Sequence, residues 1–133
     1  MIKRSTFKSV AFISSALLVS QTAGATDVEV TIQSLSTETI VGSSSSFPAR
    51  LLPGESKTVK LNFPHNSSSV HVSYSTPTKT CDFEGWHRVY SPTNTKWDKE
   101  ATAKGGRNNC FALQSVSRWS EPYDYRLTLQ MTD

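Results

Sequence analysis

The sequence predicts an all-β protein: a small antiparallel β-sandwich, or partly closed barrel, of about seven to nine short strands with one disulfide. Three observations predict it. Apolar and polar residues alternate with a period of two through most of the chain beyond residue 25, and no segment carries a helical stripe. Turn-forming residues recur at spacings of about ten residues, the rhythm of stacked short strands. Ser and Thr are abundant while Leu, Ala and Met are scarce, which favours strands and turns over helices.

The chain opens differently. Lys3, Arg4 and Lys8 stand without an acid, residues 10–19 form the apolar run VAFISSALLV, and Ala23-Gly24-Ala25 supplies a small-x-small pattern. This is the layout of a secretory signal peptide. The apolar run falls well short of the ~20 residues a membrane span needs, so no transmembrane segment is expected. Cleavage is expected near Ala25, leaving residues 26–133 as one exported domain in the periplasm or outside the cell. The short basic start and the A-G-A site lean towards a bacterial source.

The leader also explains the charge. The whole chain has 14 Lys and Arg against 11 Asp and Glu, a net charge of +3. With three of those 14 in the leader, 11 basic side chains remain against 11 acidic ones. The exported part is neutral, which removes the main support for a nucleic-acid or anionic-membrane partner.

Each strand is read from its alternation. Val28, Val30 and Ile32 alternate with Glu29, Thr31 and Gln33 as a first strand. Thr39–Gly42 is a second, ended by the serine run 43–46, a solvated turn or edge. Residues 49–52 are a brief apolar piece stopped by Pro53-Gly54, a type II turn pair in which Pro fixes the first corner and Gly takes positive φ at the second. Val59, Leu61 and Phe63, then Val70, Val72 and Tyr74, mark two clear strands expected to pair with each other. Residues 78–83 and 86–90 read as separate strands split at Gly85. Residues 91–104 are irregular and mixed in charge and, with the turn cluster 105–109, read as a loop. Residues 110–117 and a long final strand with Tyr123, Tyr125, Leu127, Leu129 and Met131 complete the set.

Cys81 and Cys110 are the two cysteines. An even count in an exported chain points to a structural disulfide, closing a loop of about 30 residues. Their spacing fits neither a redox C-x-x-C nor a metal cluster.

The inventory for catalysis is thin. No nucleophile elbow, H-E-x-x-H, phosphate loop or dinucleotide fingerprint occurs. His65 falls in a turn, while His71 and His87 read as outward strand residues. They could pair around a metal with Asp82 or Glu84 only if their strands were neighbours, and the spacing is nonspecific. Asp82 and Glu84 would share a face, but they read as a solvated acidic edge rather than a glycosidase pair. The expectation is no enzyme activity, no cofactor and no metal, with a small hydrolase built on these residues ranked last.

The aromatic residues carry the sharper expectation. Trp86 and Tyr90, four apart on one strand face, suit the core, Trp86 above all. Trp97, in the irregular stretch, and Trp119, beside Arg118, suit exposed loops. The expected contact residues are Trp97, Trp119, Tyr90, Arg88 and Lys96, because planar rings edged by hydrogen-bonding groups suit a surface carbohydrate or a protein partner. A periplasmic inhibitor or immunity protein that blocks an enzyme or toxin is the alternative. The four basic residues between Lys96 and Arg107 could meet an anionic surface, against the plainer reading of a solvated mixed-charge loop. Asn66-Ser67-Ser68 matches an N-glycosylation triplet, of consequence only in a eukaryotic secretory pathway. Sandwiches with such turns and a single disulfide serve many purposes, so the fold alone assigns none.

Mass spectrometry of the exported protein is expected to show a start at Thr26 and a mass lighter by the two thiol hydrogens lost in the disulfide. An intact Met1, or two thiols open to alkylation in the native protein, would contradict both expectations.

Overall fold

Alternation in the sequence becomes alternation in burial. The computed structural model describes residues 26–105 and 109–133, and the expected signal segment lies outside them. Nine strands and no helix occur among the described residues: β1 Thr26–Leu35, β2 Ile40–Gly42, β3 Arg50–Leu51, β4 Ser56–Phe63, β5 Ser68–Ser75, β6 Thr80–Ser91, β7 Asn94–Lys104, β8 Cys110–Arg118 and β9 Tyr123–Thr132. They form two packed sheets, one in the order β4-β1-β9-β8 and one in the order β3-β2-β5-β6-β7. The fold is the small β-sandwich that the alternation predicts.

The core is the sum of the inward halves. Val28, Val30 and Ile32 from β1 and Tyr125, Leu127, Leu129 and Met131 from β9 meet Val70, Val72 and Tyr74 from β5 and Phe83 from β6, all at 3% exposure or less. Burying each such side chain contributes roughly 1.5–3 kcal/mol, so these few residues supply most of the drive to fold. The Leu52–Glu55 turn is built as its residues require. Gly54 has φ +81°, and the Glu55 N–H donates to the Leu52 carbonyl at 2.9 Å.

The disulfide joins the sheets. Cys81 on β6 and Cys110 on β8 are bonded, with Cα atoms 5.6 Å apart and both residues buried. Closing a loop of that length removes disorder from the unfolded chain worth roughly 3–4 kcal/mol. At the same end of the sandwich, Lys79 Nζ donates to the Thr132 carbonyl at 2.7 Å. Tyr74 nearby is sealed in, with its hydroxyl donating to the Pro48 carbonyl at 2.8 Å and burial pushing its titration up to about 12.

Four features differ from the sequence reading. First, β4 and β5 do not pair. β4 lies beside β1, with Phe63 opposite Thr26, while β5 lies between β2 and β6 in the other sheet. Residues 64–67 cross from one sheet to the other, held by the Thr26 hydroxyl at 3.1 Å from the carbonyls of both His65 and Asn66. Alternation shows which face a residue takes and says nothing of which strand lies alongside.

Second, β1 and β9 run parallel, in register from Thr26 opposite Tyr123 to Leu35 opposite Thr132. A parallel pair needs a long crossover, and here the crossover is all of the intervening chain. Third, residues 94–104 are a strand and not a loop. All of their charges but Lys99 take the outward positions of an edge strand, which hides the alternation of Trp97, Ala101 and Ala103 on the inner one.

Fourth, β6 runs unbroken through Gly85. An added Cβ there would stand 2.4 Å from Leu127 Cδ1 and 2.6 Å from Cδ2, so the glycine is where the opposite sheet presses in rather than a break. That contact generates a prediction. Gly85→Ala is expected to lower stability by about 1–3 kcal/mol, the usual cost of overpacking, in urea unfolding. In the background of Leu127→Ala, which removes the obstructing atoms, the same substitution is expected to cost less.

Candidate functional site

Gly85 and Cys81 face inward, so the side chains in phase with them do too, and His87 is carried to the interior. It is fully buried. Its neighbour Trp86 faces out and is half-buried, and Tyr90 faces out and is 61% exposed. The expectation that Trp86 fills the core while His87 faces solvent is therefore reversed. The same parity applies across the β6–β7 ladder. Trp97 lies opposite His87 in register and packs half-buried against the core, rather than standing free in a loop.

These residues gather at the end of the sandwich opposite the disulfide. The His87 and Trp97 rings stack with centroids 4.7 Å apart and planes 23° apart. Tyr123 lies against His87 at 4.7 Å, and Tyr125 at 5.7 Å. Trp119, in the β8–β9 connection, meets Trp97 edge-on at 5.6 Å while remaining 68% exposed. Aromatic pairs in such tilted and edge-on arrangements add about 0.5–1.5 kcal/mol each beyond the area they bury. The cluster thus runs without a gap from a sealed imidazole to a solvent-facing indole.

A buried polar chain supports it from below. Ser68 Oγ lies 2.8 Å from His87 Nδ1 and 2.7 Å from the Tyr125 hydroxyl. Burial pushes the Tyr125 hydroxyl's titration up, while its bond to Ser68 pulls the other way. Burial drives the His87 imidazole below its ordinary value. Its other nitrogen, Nε2, is buried with no hydrogen-bond partner among the described residues. Ser68 beside His87 invites comparison with a nucleophile and its base. The histidine lacks a carboxylate to orient it, however, and the serine oxygen is already shared with a tyrosine.

Surface depressions among the described residues include three that could take a ligand. One of about 220 Å³ is lined by Trp97, Trp119, Pro92, Thr93 and Thr95. A second, of about 350 Å³ and more open, lies across β6 and is lined by Phe63, Ser67, Ser68, Ser69, His87 and Arg88. The third, of about 290 Å³, is on the outer face of the four-stranded sheet and is lined mostly by charges. Three of those charges are bonded: Arg126 Nε lies 3.1 Å from Glu29 Oε1, and Asn62 Nδ2 donates to Asp27 at 2.6 Å.

Of the five expected contact residues, Trp97 and Trp119 share one cleft. Arg88, Lys96 and Tyr90 lie on the outer face of β6 and β7, where Arg88 and Lys96 are directly opposite each other. The outer face of β7 carries Lys96, Asp98, Glu100 and Lys104 in alternating positions, so its charges cancel and form no basic patch among the described residues. Arg107 lies outside the described residues.

His71 is exposed and faces outward as expected. Its Nε2 is 3.2 Å from Asp82 Oδ1 and 4.0 Å from Glu84 Oε2. A hydrogen bond from Ser73 is the main cause holding the Asp82 carboxyl below its usual range, with His71 and Lys104 adding to it. His71 and His87 lie on opposite sheet faces. No group of three or more His, Cys, Asp or Glu side chains among the described residues is arranged to hold a metal ion.

Sequence reasoning missed Ser68, Tyr123 and Tyr125 as members of the site. Parity could have found His87, since Cys81, Phe83, Gly85 and His87 are one inward row once the strand is taken as continuous. Comparison with protein-family models, with curated proteins and with solved structures gave no match. No helix among the described residues is long and apolar enough to cross a membrane.

The two tryptophans are expected to separate on mutation. Trp97→Ala, which empties the stack on His87, is expected to cost about 3 kcal/mol or somewhat more in unfolding measurements. Trp119→Ala is expected to stay within about 1 kcal/mol of wild type, because most of its ring is already in water.

Proposed function

We propose that this chain is an exported, non-catalytic binding protein that takes a surface carbohydrate in the Trp97–Trp119 cleft. The observation that carries the reading is an exposed indole held in place by a half-buried one. Trp119 is 68% exposed, yet its edge-on contact with Trp97 ties it to the core through His87. A ring already fixed loses little freedom on binding, which is the condition under which an aromatic contact yields affinity.

The surroundings suit a neutral sugar. Pro92 and the two indoles offer apolar surface to the C–H face of a pyranose, and Thr93 and Thr95 add hydroxyls to the lining that can hydrogen-bond to a sugar. No charged side chain among the described residues lines this cleft, in contrast to the charge-lined depression on the outer sheet face. The disulfide supports an oxidising destination, and with it the export reading of residues 1–25.

Binding of the purified domain to cellulose, chitin and soluble β-glucans, measured by pull-down and titration calorimetry, tests the reading. At least one neutral glycan is expected to bind, and Trp119→Ala is expected to weaken it by about 2 kcal/mol, roughly thirtyfold in Kd, with the fold intact. Binding that survives Trp119→Ala unchanged, or a stoichiometric enzyme partner recovered from the periplasm in place of any glycan, would overturn the proposal.

A further inference from the structure

We propose that protonation of His87 opens the aromatic end of the sandwich, so that the Trp97–Trp119 cleft holds its ligand at neutral pH and releases it on acidification. The ligand-release part rests on the carbohydrate reading, whereas the opening itself does not.

The geometry leaves His87 no way to accept a second proton in place. The imidazole is fully buried, with Nδ1 bonded to Ser68 and Nε2 without a partner. In either neutral tautomer Ser68 and Tyr125 can orient their hydroxyls to complete the chain at Nδ1. The imidazolium needs an acceptor at both nitrogens, and one of its two N–H groups would be left bare in the interior.

The side chains that bond to the ring or stack on it carry no charge. The elements packed on it contribute Ser68 from β5, Trp97 from β7, and Tyr123 and Tyr125 from β9, none of them a carboxylate. Asp98 and Asp124, the acids next in sequence to these contacts, occupy the alternate, outward positions of their strands. The cations nearest along β6 and β7 are exposed: Arg88 on the outer face, and Lys99, whose position opposite Gly85 adds positive charge on the inward side of the edge strand. The rings of Trp97, Tyr123 and Tyr125 favour a cation, and ring attraction to a cation is weaker than the cost of taking a full charge out of water.

The sign follows from linkage. The closed state excludes the proton and the open state takes it up at the ordinary imidazole value of about 6.5. Opening is therefore favoured as pH falls through that value, by up to about tenfold per unit, until the closed form also titrates. Because Trp97 stacks on His87 and Trp119 leans on Trp97, loss of the imidazole's seat removes the support of the exposed indole.

The test uses the full exported chain with its disulfide intact and no sugar present, so that failure of the carbohydrate reading leaves it unaffected. The His87 ring protons are followed by NMR from pH 8 to pH 4, alongside near-UV circular dichroism and tryptophan emission. The expected result is a His87 midpoint below about 6.5, with near-UV signal lost in the same range while the far-UV β spectrum persists. His87→Phe keeps a ring in the stack and removes the proton, and is expected to abolish the transition. His65→Gln and His71→Gln are expected to leave it in place. Should His87→Phe fail to fold, the wild-type NMR titration decides alone. A His87 midpoint at or above 6.5, near-UV signals constant across the range, or a transition that persists in His87→Phe would overturn the proposal.

Discussion

The contact between Gly85 and Leu127 sets the rest of the candidate site. Leu127 enters the space that a side chain at position 85 would occupy, closing the two sheets to a distance only glycine allows. It also locks the phase of β6. With Gly85 inward, every second residue of that strand is inward as well, which seals Cys81 and Phe83 at one end and His87 at the other. A slip of one residue would put Trp86 into the core and the imidazole into water. The stack on Trp97, and through it the seat of Trp119, follows from that parity.

Burying a histidine in so small a domain needs polar partners, and β5 and β9 provide them. Ser68 and Tyr125 give Nδ1 a bonded chain, and the aromatic faces of Trp97, Tyr123 and Tyr125 enclose the ring. Nε2 remains unserved. A leucine there would avoid that cost, so the imidazole lowers stability relative to an apolar core. Departures of this kind from the stability optimum concentrate where function needs them, which is the ground for reading this end of the sandwich as the working end.

The molecule divides its tasks along its length. The Cys81–Cys110 bond ties the sheets together at one end, where Tyr74 and Lys79 also anchor loops to the core. The aromatic cluster occupies the other end, formed by short connections between strands. A covalent tie at the far end lets the cluster loosen without separating the sheets, since a local opening need not cost the global stability. Loop residues such as Pro92, Thr93 and Trp119 are then free to serve contact, on a scaffold that does not depend on them.

The sequence by itself determined the all-β class, the identity of most strands, the inward row of the last strand, the Pro53-Gly54 turn and the disulfide. Each of these depends on local chemistry or on a cysteine count of two. It also singled out Trp97 and Trp119, though for exposure in loops rather than for one half-buried ring supporting an exposed one. Only the tertiary structure decided that β4 and β5 belong to different sheets, that β1 and β9 run parallel, and that Gly85 continues a strand. Partner choice depends on side chains far apart in sequence, and the alternation of one strand carries no record of its neighbour. The inward turn of His87 was decided in the same way, by Leu127 pressing from the opposite sheet on a glycine that, read locally, looks like a break.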